Sequence, residues 1–163
     1  MSRAVIALGA NLGDPRAAVL GAIDALAAAD DVRVVAVSSL YETDPVGGPE
    51  QPMFVNAVVI VESSRLPMQL LDLAQAIEQQ WQRVRDVRWG PRTLDVDIID
   101  VDGVVSDDPV LTLPHPRAFE RAFVLVPWRE VQPDAVLAGH GPIADLAVDA
   151  SGVRLSREES VTR

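Results

Sequence analysis

The stretch that most constrains how this chain can fold is a short alternation, Leu94-Asp95-Val96-Asp97-Ile98, set off from the residues before it by Gly90-Pro91. Alternating apolar and charged residues mark a strand with one buried face, and Gly-Pro is a turn signal that limits where such a strand can begin. Leu94, Val96 and Ile98 are expected to point inward, with Asp95 and Asp97 sharing the other face. At the usual strand rise their Cα atoms stand about 6.6 Å apart, close enough to hold one divalent cation or a pair. The plain alternative is the solvated face of an antiparallel strand. Against it, Asp is depleted in strands, and this pair closely follows Arg88, Trp89 and Arg92. A calcium loop of the EF-hand kind fails on spacing. Counted from Asp95, its fifth, sixth and twelfth positions fall on Ile99, Asp100 and Ser106, where Asp, Gly and Glu are needed.

The charge balance narrows what these groups could serve. Fourteen arginines and no lysine stand against 24 Asp and Glu, a formal charge of −10, which disfavours nucleic acid or an anionic membrane as partner. Yet Arg83, Arg85, Arg88 and Arg92 crowd one segment, as suits a small polyanionic ligand. Without lysine there is no Walker A loop, Schiff-base lysine or lysine base, so any phosphate falls to Arg, backbone N–H groups and metal. There is no cysteine for a disulfide or thiolate site, and no apolar run has the length of a signal peptide or membrane span; a cytoplasmic protein is expected. The 163 residues, 48% of them apolar, suit a single domain over residues 1–163, with a polar tail from about residue 152 that carries no chemistry.

In chain order, residues 3–8 read as a buried strand and Gly9 to Gly13 as a structural turn, since it lacks dinucleotide-loop spacing. Asp14 caps a helix with Pro15 in its first turn, running to about Ala29. A valine-rich strand over 32–39 leads into a long Pro- and Gly-rich connection over 41–52, read as a lid or pocket wall, with a tolerated surface insertion as the alternative. Residues 54–61 form a third strand in which Asn56 needs a hydrogen-bonding partner or ligand. Pro67 opens a second helix with an apolar stripe of Leu70, Leu73, Ala74, Ile77, Trp81 and Val84. Its other face carries Gln75, Glu78, Gln82 and Arg85, in the plain reading a solvated surface. Asp102-Gly103 is a turn, residues 111–117 are extended, and residues 118–126 form a short helical segment ending at Pro127-Trp128. His115 reads as structural and His140, between two glycines, as loop decoration. The order strand, helix, strand, strand, helix, strand indicates an α+β chain with a ferredoxin-like antiparallel sheet, helices on one face, and long functional loops.

At this point several segments together carry a resemblance. Leu8-Gly9-Ala10-Asn11-Leu12-Gly13-Asp14, Tyr41-Glu42-Thr43-Asp44-Pro45, Phe54-Val55-Asn56-Ala57, Arg83-Val84-Arg85, Arg88 through Asp97, and Leu113-Pro114-His115-Pro116 resemble hydroxymethyl-dihydropterin pyrophosphokinases of the folate pathway, up to about Pro133. The resemblance implies transfer of pyrophosphate from ATP to the hydroxymethyl oxygen of a reduced pterin, with release of AMP. It implies that Asp95 and Asp97 hold two Mg²⁺ ions and that Arg83 and Arg92 clamp the transferring phosphates. Gln75, Glu78, Arg85, Trp89, Arg92, Ile98, Thr112, His115 and Arg121 match the ATP side; Thr43, Pro45, Val46, Phe54, Asn56, Trp89 and Phe123 match the pterin side. Two lids, over residues 43–52 and 83–92, are expected to exclude water. ATP and hydroxymethyl-dihydropterin are the expected partners of a monomer that binds no nucleic acid or membrane. Val110, where some relatives carry a basic residue, and Gln82, where a glycine is common, depart from the pattern.

The residues leave two rivals. A non-catalytic ferredoxin-like ligand-binding module would account for sheet and helices but not for the Arg-Asp-Asp cluster. A nuclease or RNA-binding domain is opposed by an aromatic content of 4% and the negative charge.

Overall fold

The computed structural model describes residues 1–45, 52–85 and 94–156, apart from the side chains of residues 82–85. The chain runs β1 (Ser2–Ala10), α1 (Pro15–Ala28), β2 (Val32–Val37), β3 (Tyr41–Thr43), β4 (Phe54–Ser63), α2 (Pro67–Arg85) and β5 (Asp95–Val101). Beyond these come the paired short strands β6 (Ser106–Asp107) and β7 (Thr112–Leu113), the helix α3 (Ala122–Val131), a second short pair, β8 (Val136–Leu137) and β9 (Gly141–Pro142), and β10 (Val153–Leu155). Local chemistry sets the helix starts. The Asp14 carboxylate accepts the Ala17 N–H at 3.1 Å, with Gly13 at φ 66° making the turn before it. At α2 the Gln69 side chain reaches back to the Leu66 N–H at 2.8 Å, half of a capping box. No described helix is long and apolar enough to cross a membrane.

The main sheet reads β10-β3-β4-β1-β5, with β2 also paired to β4, and every neighbouring pair is antiparallel. Numbering only β1, β2, β4 and β5 in chain order, the sequence across the sheet is fourth, first, third, second. This α+β arrangement puts the Asp95–Asp97 strand at one edge. Leu94, Val96 and Ile98 are buried as the alternation requires, while Asp95 is exposed and Asp97 half-buried.

Both faces of the sheet are covered, a departure from the expectation of helices on one side. Ile6, Leu8, Val59, Val61, Val96 and Ile98 pack with α1 and α2. Val5, Ala7, Val58, Ile60 and Ile99 pack with Val124, Leu125 and Trp128 of α3 and with Leu137 and Ile143. A strand buried on both sides has no reason to alternate, which is why β1 and β4 are nearly continuous apolar runs. The segment expected to stop at Pro127 continues to Val131, with the proline inside the helix. An interior proline costs about 3 kcal/mol or more. Val124, Leu125 and Trp128 are each at most 2% exposed and together offset that, at about 1.5–3 kcal/mol for each large side chain buried.

Three shorter segments also differ from the sequence reading. Tyr41–Thr43, assigned to the long connection, is a strand on β4. His140, read as decoration, stacks on Phe119 with ring centroids 4.2 Å apart. The polar stretch after Gly152 supplies β10, which lies on β3, and Ser156 is buried behind it. These residues are legible only through their partners, which lie far away in sequence.

Candidate functional site

Gly9, near the end of β1, stands opposite Asn56 on β4 and opposite Asp95 on β5. A cavity of about 340 Å³ opens here, lined by Leu8, Gly9, Thr43, Asp44, Phe54, Asn56, Asp95, Asp97, Arg121 and Phe123 among others. Asn56 is 5% exposed and held from two sides. The Thr43 hydroxyl donates to its Oδ1 at 2.6 Å, and its amide nitrogen donates to the Leu8 carbonyl at 3.5 Å. An amide nitrogen carries two protons, so a second remains for a ligand. A Cβ on Gly9 would come within 2.8 Å of that nitrogen, so the amide can occupy its place only because the facing residue is glycine. Phe54 and Phe123 are partly exposed in the cavity wall, and the Arg121 guanidinium lies 5.6 Å from the Phe123 ring centroid.

A second cavity, of about 250 Å³, lies on the other side of the same edge strand. Leu71, Val96, Asp97, Ile98, Pro109, Val110, Leu111, Thr112, His115 and Pro116 line it. Asp97 borders both cavities. The Asp108 carboxylate accepts the Val110 N–H at 2.8 Å and the Asp108 carbonyl accepts the Thr112 hydroxyl at 3.0 Å, which shapes the wall. The His115 N–H donates to the Ile99 carbonyl at 2.8 Å, tying this wall to β5. Burial pushes the His115 imidazole below its ordinary pKa, opposed by the charge of Asp97 and assisted by Arg121 and Arg117. Its Nδ1 accepts the Arg117 N–H at 3.2 Å, so the neutral ring carries its proton on Nε2.

The structure thus gathers Thr43, Phe54, Asn56, Phe123, Asp95 and Asp97 at the first cavity and Ile98, Thr112, His115 and Asp97 at the second. Arg121, assigned from resemblance to the ATP side, lines the first cavity, whose wall it shares with Asp97. Gln75 and Glu78 line neither: Gln75 is exposed, and Glu78 accepts the Val96 N–H at 2.7 Å, satisfying a donor on the β5 edge. Pro45 adjoins the lining residue Asp44 without being part of the lining. Val46, Arg88, Trp89 and Arg92 lie outside the described residues, as do the side chains of Gln82, Arg83 and Arg85. Sequence reasoning missed Gly9 as a site residue. Its one signal was a glycine at the end of an otherwise apolar strand, a mark of close approach.

Asp95 and Asp97 offer hard oxygen donors on one strand face. Among the described residues no group of three metal-binding side chains occurs. A pair of carboxylates suits Mg²⁺, which keeps several waters and takes its remaining ligands from substrate phosphates.

Fold and site together define an α+β protein with two cavities set against one acidic edge strand. Its fold is shared with the wild-type HPPK-DHPS of Plasmodium falciparum, at a TM-score of 0.66 and 14% identity, over 89% of this chain and 41% of that longer one. The 7,8-dihydro-6-hydroxymethylpterin-pyrophosphokinase (HPPK) family profile matches residues 5–133, and the chain belongs to that family. Among its relatives, the 2-amino-4-hydroxy-6-hydroxymethyldihydropteridine pyrophosphokinase of Methylorubrum extorquens is 44% identical over 94% of this chain and 98% of its own. The enzyme of the same name from Pseudomonas aeruginosa is 46% identical over 82% and 83%.

Proposed function

We propose that the protein transfers the terminal pyrophosphoryl group of ATP to the hydroxymethyl oxygen of 6-hydroxymethyl-dihydropterin, releasing AMP, as a step of folate biosynthesis. Membership of the family supports the reaction. The observation that carries the assignment of sites is Asp97, which borders both cavities, so that two substrates in them would meet at one carboxylate. In this reading the pterin lies between Phe54 and Phe123, with Asn56 and nearby backbone groups reading its amide-like edge. The nucleotide lies against Ile98, Thr112 and His115, its chain of phosphates directed toward Asp95 and Asp97. The hydroxymethyl oxygen attacks the β-phosphorus, the bond from that phosphorus to the α-phosphate oxygen breaks, and the hydroxyl proton passes to solvent.

Asp95 and Asp97 would hold Mg²⁺, two ions by resemblance, which supplies charge neutralisation for the phosphate oxygens. The chain's own residues position the reactants. Arg121, on the nucleotide side by resemblance, shares the first cavity's wall with Asp97 and would meet phosphate there, and Arg83 and Arg92, with Arg85 and Trp89, are assigned to the phosphates and nucleotide by resemblance alone. Charge-assisted hydrogen bonds of this kind contribute about 1.5–3 kcal/mol each. Pro45 and Val46 belong to the pterin side on the same ground, and Gln75 and Glu78 to the nucleotide side. We expect the enzyme to act as a cytoplasmic monomer.

The test is calorimetric titration with a nonhydrolysable ATP analogue, with and without Mg²⁺, followed by an assay of AMP release with ATP and the dihydropterin. Mg²⁺-dependent nucleotide binding and pterin-dependent AMP release are expected. Nucleotide binding without turnover would favour the ligand-binding module instead.

A further inference from the structure

The strand β10 lies beyond the residues that the family profile matches, yet it pairs with β3, whose Thr43 lines the first cavity. It pairs with β3 in the register Val153 to Thr43, Arg154 to Glu42 and Leu155 to Tyr41. The ladder is extended at both ends: the Asp44 N–H donates to the Gly152 carbonyl at 2.9 Å, and the Ser156 N–H to the Leu40 carbonyl at 2.9 Å. Arg16 of α1 anchors the end of the segment by donating to the Ser156 hydroxyl at 3.0 Å.

One side chain of this strand reaches residues at and beside the cavity wall. Arg154 Nη1 meets Asp44 Oδ1 at 3.1 Å, its Nε faces Glu42 Oε1 at 3.8 Å, and its Nη2 points at the Met53 sulfur. Asp44 lines the cavity directly, while Met53 immediately precedes Phe54, which lines it too. Arg154 therefore touches both chain segments that carry this wall, one on each side of residues 46–51.

We infer that Arg154 is a positioning residue for the pterin substrate. It neutralises Asp44 beside the cavity and holds the Thr43-Asp44 and Met53-Phe54 segments in fixed relation, so that the Phe54 ring and the Thr43–Asn56 hydrogen bond face the ligand already set. The inference rests on the function proposed above. Arg154 is not among the residues that line the second cavity, so nucleotide affinity and the chemical step do not depend on it.

The experiment measures KM for dihydropterin, KM for ATP, kcat and Tm for the parent, Arg154→Ala and Arg154→Lys. The Arg154 side chain is 44% exposed, and a pair of that exposure shifts an affinity only modestly. Arg154→Ala is expected to raise the pterin KM by about 2–5-fold, with ATP KM and kcat within about 1.5-fold of the parent. Arg154→Lys, which keeps a cation facing Asp44, recovers part of the loss. A loss of general structural integrity would move both KM values together, and that result overturns the inference. So does an unchanged pterin KM, or a lysine variant as impaired as alanine. A parent chain that releases no AMP overturns the proposed function, and this inference with it; a parent that turns over while Arg154→Ala matches it overturns this inference alone.

Discussion

Gly9→Ala tests the pterin assignment at its most constrained atom. The new Cβ would stand 2.8 Å from Asn56 Nδ2, and ordinary contact begins at 3.4 Å, so the amide must retreat by at least 0.6 Å (3.4 minus 2.8). It has little slack. Its bond to the Leu8 carbonyl is already 3.5 Å long, and its oxygen is fixed by the Thr43 hydroxyl at 2.6 Å. The amide therefore turns away from Leu8 and presents the wrong edge to the ligand. At about 1 kcal/mol for each neutral hydrogen bond lost, one or two bonds weaken the pterin by about 5–30-fold. ATP should be unaffected, because Gly9 does not border the second cavity. The lost Asn56–Leu8 bond costs about 1 kcal/mol of stability, offset in part because alanine restricts the unfolded chain. The assay is AMP release with each substrate varied in turn, beside a thermal melt. A pterin KM within about twofold of the parent, in a variant that melts normally, would refute the placement of the pterin amide edge against Asn56.

Asp97→Asn should lower kcat by at least about 100-fold while leaving Tm within a few degrees, since the carboxylate borders both cavities on a half-buried strand face; ready turnover would remove it from the site. Gly21→Ala, which places a Cβ 2.5 Å from the Trp81 ring where α1 meets α2, should cost about 1–3 kcal/mol of stability and leave both KM values alone, a control for Gly9 read by denaturant melts. Burial raises the Asp100 carboxyl pKa, and among the described residues its Oδ1 has no partner. A raised folded-state pKa means stability that is complete below the unfolded carboxylate pKa, near 3.9, and is lost as pH rises through the folded value. Asp100→Asn, uncharged throughout, should therefore gain about 1–3 kcal/mol over the parent at pH 8, shrinking toward zero near pH 4. A gain equal at both pH values would show that ionisation is not its source.

What the sequence disclosed and what it hid divide along a physical line. Asp14 before Pro15, the Leu70-Ala74-Ile77 stripe and the Leu94–Ile98 alternation are each decided by neighbours a few residues away, and each stands in the structure as read. β3 is three residues long and gains its strand geometry from β4 on one side and β10 on the other. The passage of α3 through Pro127 depends on burial against the far face of the sheet, which no local pattern reports. The site divides in the same way. Asp95 and Asp97 announce themselves as two carboxylates in a strand, whereas Gly9 and Arg154 matter only through Asn56 and Asp44, which lie 47 and 110 residues away.

The edge strand itself explains why one aspartate can serve two cavities. Between Ile98 and Asp100 the register against β1 shifts, with Ile6 opposite Ile98 and Val5 opposite Asp100, so Ile99 is the extra residue of a bulge. Before the bulge the alternation holds, and its outward face carries Asp95 and Asp97 between an aromatic pocket and the β7 side. From the bulge onward the strand sinks: Ile99, Asp100 and Val101 are all at most 8% exposed. An edge strand offers one face and one backbone margin to ligands, and here Glu78 and the His115 N–H occupy part of that margin at Val96 and Ile99. The exposed span left to a ligand is thus short, and Asp97 is the charged group within it that both cavities reach.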